Sequence, residues 1–277
     1  MEDRPRACLD AADAHPHAMS EASLRLPMTV PTIHHWTASD GIDLAWRELG
    51  EGAPVILLHG LFSDGHVNWV KFGHAARIAA TGKRVIIPDL RAHGLSGKPH
   101  DPAHYPPGVL GRDLIEFVAH LGFTSYDLGG FSLGARTTVQ GIGEGLTPRR
   151  AILGGMGYEG LTRWARRSGF FLDAIALFDT ARRGDPHWLA IQFMKTMKVD
   201  PIAATALLHS FEPAPDGWQA AFTMPTLIVC GADDHDNGSA PALAAALLDA
   251  TYAEVPGTHM SSVTEAAFGD TIAAYLA

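Results

Sequence analysis

The stretch Gly130-Phe131-Ser132-Leu133-Gly134 decides the reading of this chain. It ends the short apolar run Tyr126–Gly129 and opens a segment, Ser132–Gly141, with helical spacing. A strand that turns straight into a helix at a serine bends so sharply that the residues two before and two after the serine nearly collide. Glycine has no Cβ, so it fits both places and tolerates the strained backbone. The hydroxyl is then lifted above the edge of a sheet, within reach of a base and a bound carbonyl. With 29 Gly in 277 residues, composition alone would give such a pentapeptide in roughly one chain of this length in eight. The reading therefore rests on the flanking sequence.

Upstream, Ile33–Trp36 and Ile42–Glu48 read as a hairpin turning at Ser39-Asp40-Gly41. Val55–Leu58 and Arg84–Ile87 are continuous apolar runs of the kind buried parallel strands show. Arg150–Leu153, Thr226–Cys230 and Tyr252–Val255 complete the strands. The spacing predicts helices over His66–Ala80, Val109–Leu121, Ser132–Gly141, Ala240–Leu248 and Val263–Leu276. Strands alternating with helices predict an α/β fold with a mostly parallel, doubly wound sheet. One interruption stands out. Residues 157–221 carry only amphipathic segments, Leu161–Arg167, Phe170–Ala181, Pro186–Met197 and Pro201–Ser210, with Pro186 and Pro201 placed as first-turn prolines. The expected organisation is a polar tail over 1–30 that is mobile or an artefact of the start site, a core of 31–156 and 222–277, and an all-helical lid over 157–221.

Hydrophobic residues make up 47% and charged residues 18%, enough for one large core. A net charge of -9 argues against nucleic acid, whose phosphates need a basic surface, and against anionic membranes. No apolar run reaches the ~18 residues of a membrane span, and the first thirty residues lack the pattern of a secretory signal. Cys8 and Cys230 suggest neither a disulfide framework nor a zinc site, so a reducing cytoplasm is the expected compartment.

Four features then fall at the ends of predicted strands: His59-Gly60-Leu61, Ser132, the pair Asp233-Asp234, and His259. Carboxyl ends of parallel strands share one edge, where residues distant in sequence meet. The order Ser…Asp…His, the G-x-S-x-G stretch and Pro88–Pro99 (PDLRAHGLSGKP) together resemble the α/β-hydrolase fold superfamily, its serine hydrolase branch with a helical cap. Ala92 stands where that family usually has glycine. The resemblance covers Ile33 to Ala277 apart from the insertion.

The resemblance implies a nucleophile at Ser132, activated by His259 as general base and later general acid. Asp234 is expected to hold the imidazole; Asp233 is the alternative and Asp236 a distant third. The backbone N–H groups of Leu61 and Leu133 are the expected oxyanion donors. Phe62, Met156 and Met260, beside the catalytic loops, are candidate pocket walls, and some aromatics of the insertion, Trp164 and Phe171 among them, are expected to face the cleft. His59 reads as structural or as a brace of the oxyanion loop, His93 as bonded within its own loop, and Asp113 as a structural anchor. The acidic run 233–236 does not converge on one point, so no metal is expected.

The activity expected of such a chain is that of a serine hydrolase, working through an acyl-enzyme on a small, largely apolar ester, thioester or lactone. No cofactor is implied. The partner is a small acyl substrate, with no nucleic acid and no membrane; a homodimer is left open. Serine at position 132 argues against dehalogenase and epoxide hydrolase chemistry, which place aspartate there in this family. A carbon–carbon hydrolase of vinylogous diketones is the alternative enzyme, faintly supported by His66–Trp69. A non-hydrolytic small-molecule receptor on the same scaffold is the alternative of another class.

Overall fold

A computed structural model describes residues 30–163 and 165–277. Cys8, Trp164 and the tail expected over 1–30, Val30 apart, lie outside the described residues.

Among the described residues eight strands form one sheet: β1 (Thr32–Thr37), β2 (Asp43–Leu49), β3 (Ala53–Leu58), β4 (Lys83–Pro88), β5 (Asp127–Phe131), β6 (Ala151–Gly154), β7 (Thr226–Gly231) and β8 (Ala250–Val255). Their order is β1-β2-β4-β3-β5-β6-β7-β8. The β1–β2 and β2–β4 pairings are antiparallel and the others parallel. The winding reverses between β3 and β5, where Leu58 pairs with Gly130. Such a switch point splays two strand-end loops apart and leaves a crevice for a ligand.

Successive strand residues point to opposite layers. Ile56, Leu58, Ile86, Leu128 and Ile228 face one core, and Val55, Leu57, Val85, Ile87, Leu227 and Val229 face the other. The first core is covered by α2 (Val109–Leu121), α3 (Leu133–Gly143) and α8 (Ala240–Ala245), and the second by α1 (His74–Ala79) and α10 (Ala266–Leu276). Removing each large side chain from water contributes about 1.5–3 kcal/mol, so the two layers hold the strand ends that carry the site.

Between β6 and β7 the described chain is helical: α4 (Tyr158–Thr162), α5 (Ala165–Ala176), α6 (Trp188–Thr196), α7 (Pro201–His209) and a 3-10 turn at Trp218–Ala221. Their apolar faces form a third cluster with Ala174, Ile191, Met194, Ala204 and Leu208, into which Phe62 of the core inserts.

The structure departs from the sequence reading in several places. His66–Ala80 is two elements, a π-helical turn at His66–Val70 and then α1, because Gly73 takes φ 77° between them. Val263–Leu276 is preceded by a separate short helix, α9 (His259–Ser262), capped by Thr258. The residues read as a break near Gly169 lie inside α5. Pro201 is a first-turn proline with Asp200 as cap, but Pro186 lies before the cap of α6, which is His187. No helix among the described residues is long and apolar enough to cross a membrane.

Candidate active site

Ser132 links β5 to α3 at φ 52°, ψ -108°, a conformation rarely taken by non-glycine residues. The turn closes on itself: a Cβ on Gly130 would fall 2.4 Å from the Gly134 carbonyl carbon, and one on Gly134 would fall 2.4 Å from the Leu58 carbonyl oxygen. The Ser132 N–H donates to the Gly154 carbonyl at 2.8 Å, which ties the corner to β6.

His259 opens α9 just past β8. Its Nε2 lies 3.0 Å from Ser132 Oγ, and its Nδ1 lies 2.8 Å from Asp234 Oδ2. Those partners assign the neutral ring as Nδ1–H, with Nε2 free to take a proton from the hydroxyl. The Asp234 carboxylate is 2% exposed, whereas Asp233 is exposed and its N–H holds the loop after β7 to Gly257 at 3.0 Å. Asp236 lies on the surface beside Arg167, and Ser239, not an aspartate of this run, caps α8. Ser132 and His259 are only 8% and 7% exposed, so reactants meet in a confined space.

The loop after β3 runs alongside Ser132; a Cβ on Gly60 would lie 3.6 Å from the Ser132 Cβ. Here Asn68 Oδ1 accepts the Gly60 N–H at 3.0 Å, and His93 Nε2 accepts the Phe62 N–H at 3.0 Å. Among the described residues, no hydrogen-bond partner accepts the N–H of Leu61 or of Leu133. Backbone N–H groups left without an acceptor are the kind of donor a developing oxyanion uses.

His59 and His93 sit behind this loop, fully inside the protein. His59 donates from Nδ1 to the Gly60 carbonyl at 2.8 Å and accepts the Leu90 N–H at Nε2, at 2.9 Å. His93 donates from Nδ1 to the Arg91 carbonyl at 2.9 Å. Burial lowers both imidazoles, that of His93 to about 3. His93 was expected to bond within its loop; it does, and it also bonds out of it. Arg91 is anchored by a paired contact to Asp113, both bonds 2.8 Å, and by Asp40.

The three candidate wall residues do not share one environment. Phe62, at φ 60°, places its ring 5.3 Å from that of Phe171 in the helical cluster. Met156 is buried in the sheet core, and its carbonyl accepts the Cys230 thiol. Met260 is 54% exposed. Residues the sequence did not single out also build the site. The Phe131 ring packs 4.9 Å from the His259 imidazole, and Arg136 of α3 donates to carbonyls of Gly160, Leu161 and Glu212. The place of Phe131 inside the glycine-framed turn was the available signal for the first; nothing local marks the second. Among the described residues no His/Cys/Asp/Glu group could hold a metal ion.

A family model described as the alpha/beta hydrolase fold matches residues 53–140, which run from β3 through the serine turn into α3. A non-heme haloperoxidase from Rhodococcus erythropolis is 32% identical over 126 residues, 43% of this chain and 42% of that protein. An sn-1-specific diacylglycerol lipase from Xenopus tropicalis is 35% identical over 88 residues, 32% of this chain and 26% of that protein. The chain thus spans less than half the length of these curated relatives. Solved structures are similar over nearly their whole length. An esterase from Exiguobacterium antarcticum has a TM-score of 0.71 at 17% identity, covering 87% of this chain and 98% of that one. An enol-lactonase from Burkholderia xenovorans has a TM-score of 0.69 at 20% identity, covering 88% and 99%. With the sheet order, the turn at Ser132 and the matched segment agreeing, the chain has the α/β-hydrolase fold.

Proposed function

We propose that this protein is a serine hydrolase that cleaves a small, largely apolar ester, thioester or lactone through an acyl-enzyme. The observation that carries this reading is the unbroken relay from Ser132 Oγ through His259 to the buried Asp234 carboxylate. In the proposed cycle Ser132 Oγ attacks the acyl carbon as its proton passes to His259 Nε2, and the carbonyl oxygen gains negative charge opposite the Leu61 and Leu133 N–H groups. Asp234 stabilises the imidazolium. The leaving oxygen or sulfur takes the proton from His259 as its bond to the acyl carbon breaks. A water then attacks the acyl-enzyme, gives its proton to His259, and Ser132 recovers that proton as the acid departs.

Small substrates fit the confined reactive atoms. Helices α4–α7 are read as a cap, since α5 and α7 share a cluster with Phe62 and the carbonyls at both ends of the insertion bind Arg136. The names of the relatives span haloperoxidases, epoxide hydrolases and a lipase, so specificity is sought in the site itself. Epoxide opening by a carboxylate nucleophile is disfavoured, because position 132 is serine. The test is turnover of p-nitrophenyl acetate and butyrate and of simple lactones, with fluorophosphonate labelling mapped by peptide mass. Labelling at Ser132 and loss of turnover in Ser132→Ala are expected; equal turnover by Ser132→Ala would overturn the reading.

A further inference from the structure

Two buried imidazoles brace two loops against each other in a reciprocal pattern. His59, on the loop after β3, accepts a backbone N–H from Leu90, on the loop after β4. His93, on that second loop, accepts a backbone N–H from Phe62, on the first. Each ring spends its Nδ1–H on a carbonyl, Gly60 for His59 and Arg91 for His93. The rings stand 5.0 Å apart, edge to face.

The aim of the Leu61 N–H is set by peptide geometry. In a planar trans peptide the C=O and N–H point in opposite directions. The Gly60 carbonyl belongs to the same peptide group as the Leu61 N–H, and it is held by His59 Nδ1–H at 2.8 Å and by the Ser63 N–H at 3.2 Å. Fixing that oxygen on one side aims the Leu61 N–H to the other. The next peptide is fixed by His93 through the Phe62 N–H, at a residue that holds φ 60° with a bulky side chain. A non-glycine residue persists in that region only where its surroundings over-determine it. Without an acceptor for its N–H, Phe62 would relax toward negative φ and turn the Leu61–Phe62 peptide with it.

We propose that His93 is a positioning residue: through the Phe62 N–H it holds the strained corner that keeps the Leu61 N–H aimed at the reacting carbonyl oxygen. This rests on the hydrolase reading above and adds a residue more than thirty positions from the donor it controls. His93 touches neither substrate nor Ser132; it acts on charge that develops only as the tetrahedral adduct forms. The effect therefore belongs in kcat more than in KM.

The test compares His93→Gln, whose amide oxygen reaches the position of Nε2, with His93→Asn, which keeps a donor for the Arg91 carbonyl but is too short to accept from Phe62. On p-nitrophenyl acetate, His93→Gln is expected within about threefold of the parent kcat. His93→Asn is expected to lose about 10–100-fold in kcat with KM within threefold, less than the ~10²–10³ seen when a donor is deleted outright. Inhibition by phenylboronic acid, whose tetrahedral adduct with serine mimics the oxyanion, should weaken in parallel for His93→Asn. Equal kcat in the two variants, or a loss matched by an equal fall in the fraction labelled by fluorophosphonate, would overturn the proposal. If His93→Asn does not fold, the parent carries the test: nitrogen-15 spectra of the ring at neutral pH should show a protonated Nδ1 and a bare, hydrogen-bonded Nε2. A charged ring or an Nε2–H tautomer would overturn it. A parent that turns over no acyl substrate would instead sink the hydrolase reading, whatever the ring spectra show.

Discussion

Gly130 and Gly134 meet across Ser132 so closely that a Cβ on the first would fall 2.4 Å from the carbonyl carbon of the second. The neighbour in that contact is backbone inside α3, which cannot rotate aside as a flexible side chain would. Gly130→Ala should push the first turn of α3 off β5 and move Ser132 Oγ away from His259. Expected is a destabilisation of about 1–3 kcal/mol, the range for overpacking a well-packed site. Fluorophosphonate labelling should slow at least tenfold. Chemical denaturation and labelling rates check both; a variant that labels as fast as the parent would mean the turn has slack that the contact denies.

Asp234 and Asp233 are adjacent in sequence but differ in surroundings, one carboxylate buried on His259 Nδ1 and the other on the surface. Asp234→Asn keeps the shape but offers an amide where the imidazole needs an acceptor, so the wrong tautomer is favoured. A fall in kcat of about 10⁴ is expected for Asp234→Asn, against less than twofold for Asp233→Asn. Steady-state ester hydrolysis decides; the reverse ranking would move the acid to position 233.

The strands were legible because each is a short apolar run that shows itself without its partners. Differences lie at their ends: β5 is Asp127–Phe131, running two residues past the apolar run Tyr126–Gly129. Ser132, Asp234 and His259 were legible because parallel strands deliver their following loops to one edge in a fixed order. The bond from His93 to Phe62 and the packing of Phe131 under His259 were not, since contacts between separate loops leave no local period. Ala92 shows the limit from the other side. The sequence marked it as an alanine in place of glycine, and the structure gives the reason for the usual glycine, a φ of 67°. A left-handed alanine costs about 1–2 kcal/mol, which the rest of the loop sustains.

Arg136 joins α3 to both ends of the helical insertion through the carbonyls of Gly160, Leu161 and Glu212. Burial pushes its guanidinium down to about 10, and the ordered carbonyls keep it charged at neutral pH. Arg136→Ala takes this donor from the buried Gly160 carbonyl, worth about 1–3 kcal/mol when unsatisfied, while the Leu161 carbonyl keeps the Ala214 N–H. Limited proteolysis within residues 157–221 should speed up several-fold before the sheet unfolds. An unchanged cleavage rate would show that the apolar cluster around Phe62 holds the insertion without Arg136.

His59, His74 and His93 make the fold sensitive to acid. Burial lowers all three. His59 and His93 each accept a backbone N–H at Nε2, and His74 has a buried Nδ1 with no partner among the described residues. Protonation would set N–H against N–H or bury a bare donor. Charged neighbours bear on the size of the effect: Asp89, Asp64 and Arg47 at His59, Asp89 and Lys98 at His93, and Arg77 and Asp270 at His74. Proton counts give the sign. Unfolded histidine binds a proton near pH 6.5, whereas the folded chain refuses it until lower pH, so the unfolded state holds more protons and stability falls as pH falls. The stabilisation is fully present above about 6.5 and is lost on the way down, through about 3 for His93. Each proton contributes a slope of about 1.4 kcal/mol per pH unit, so three give at most roughly 4. Urea unfolding at pH 7.5, 6.0 and 5.0 should show a steep loss below 6.5, and His93→Gln should flatten it by about one proton. A stability flat from pH 7 to 5 would mean that these rings take up protons in the fold as readily as in the unfolded chain, against what their burial and hydrogen bonds require.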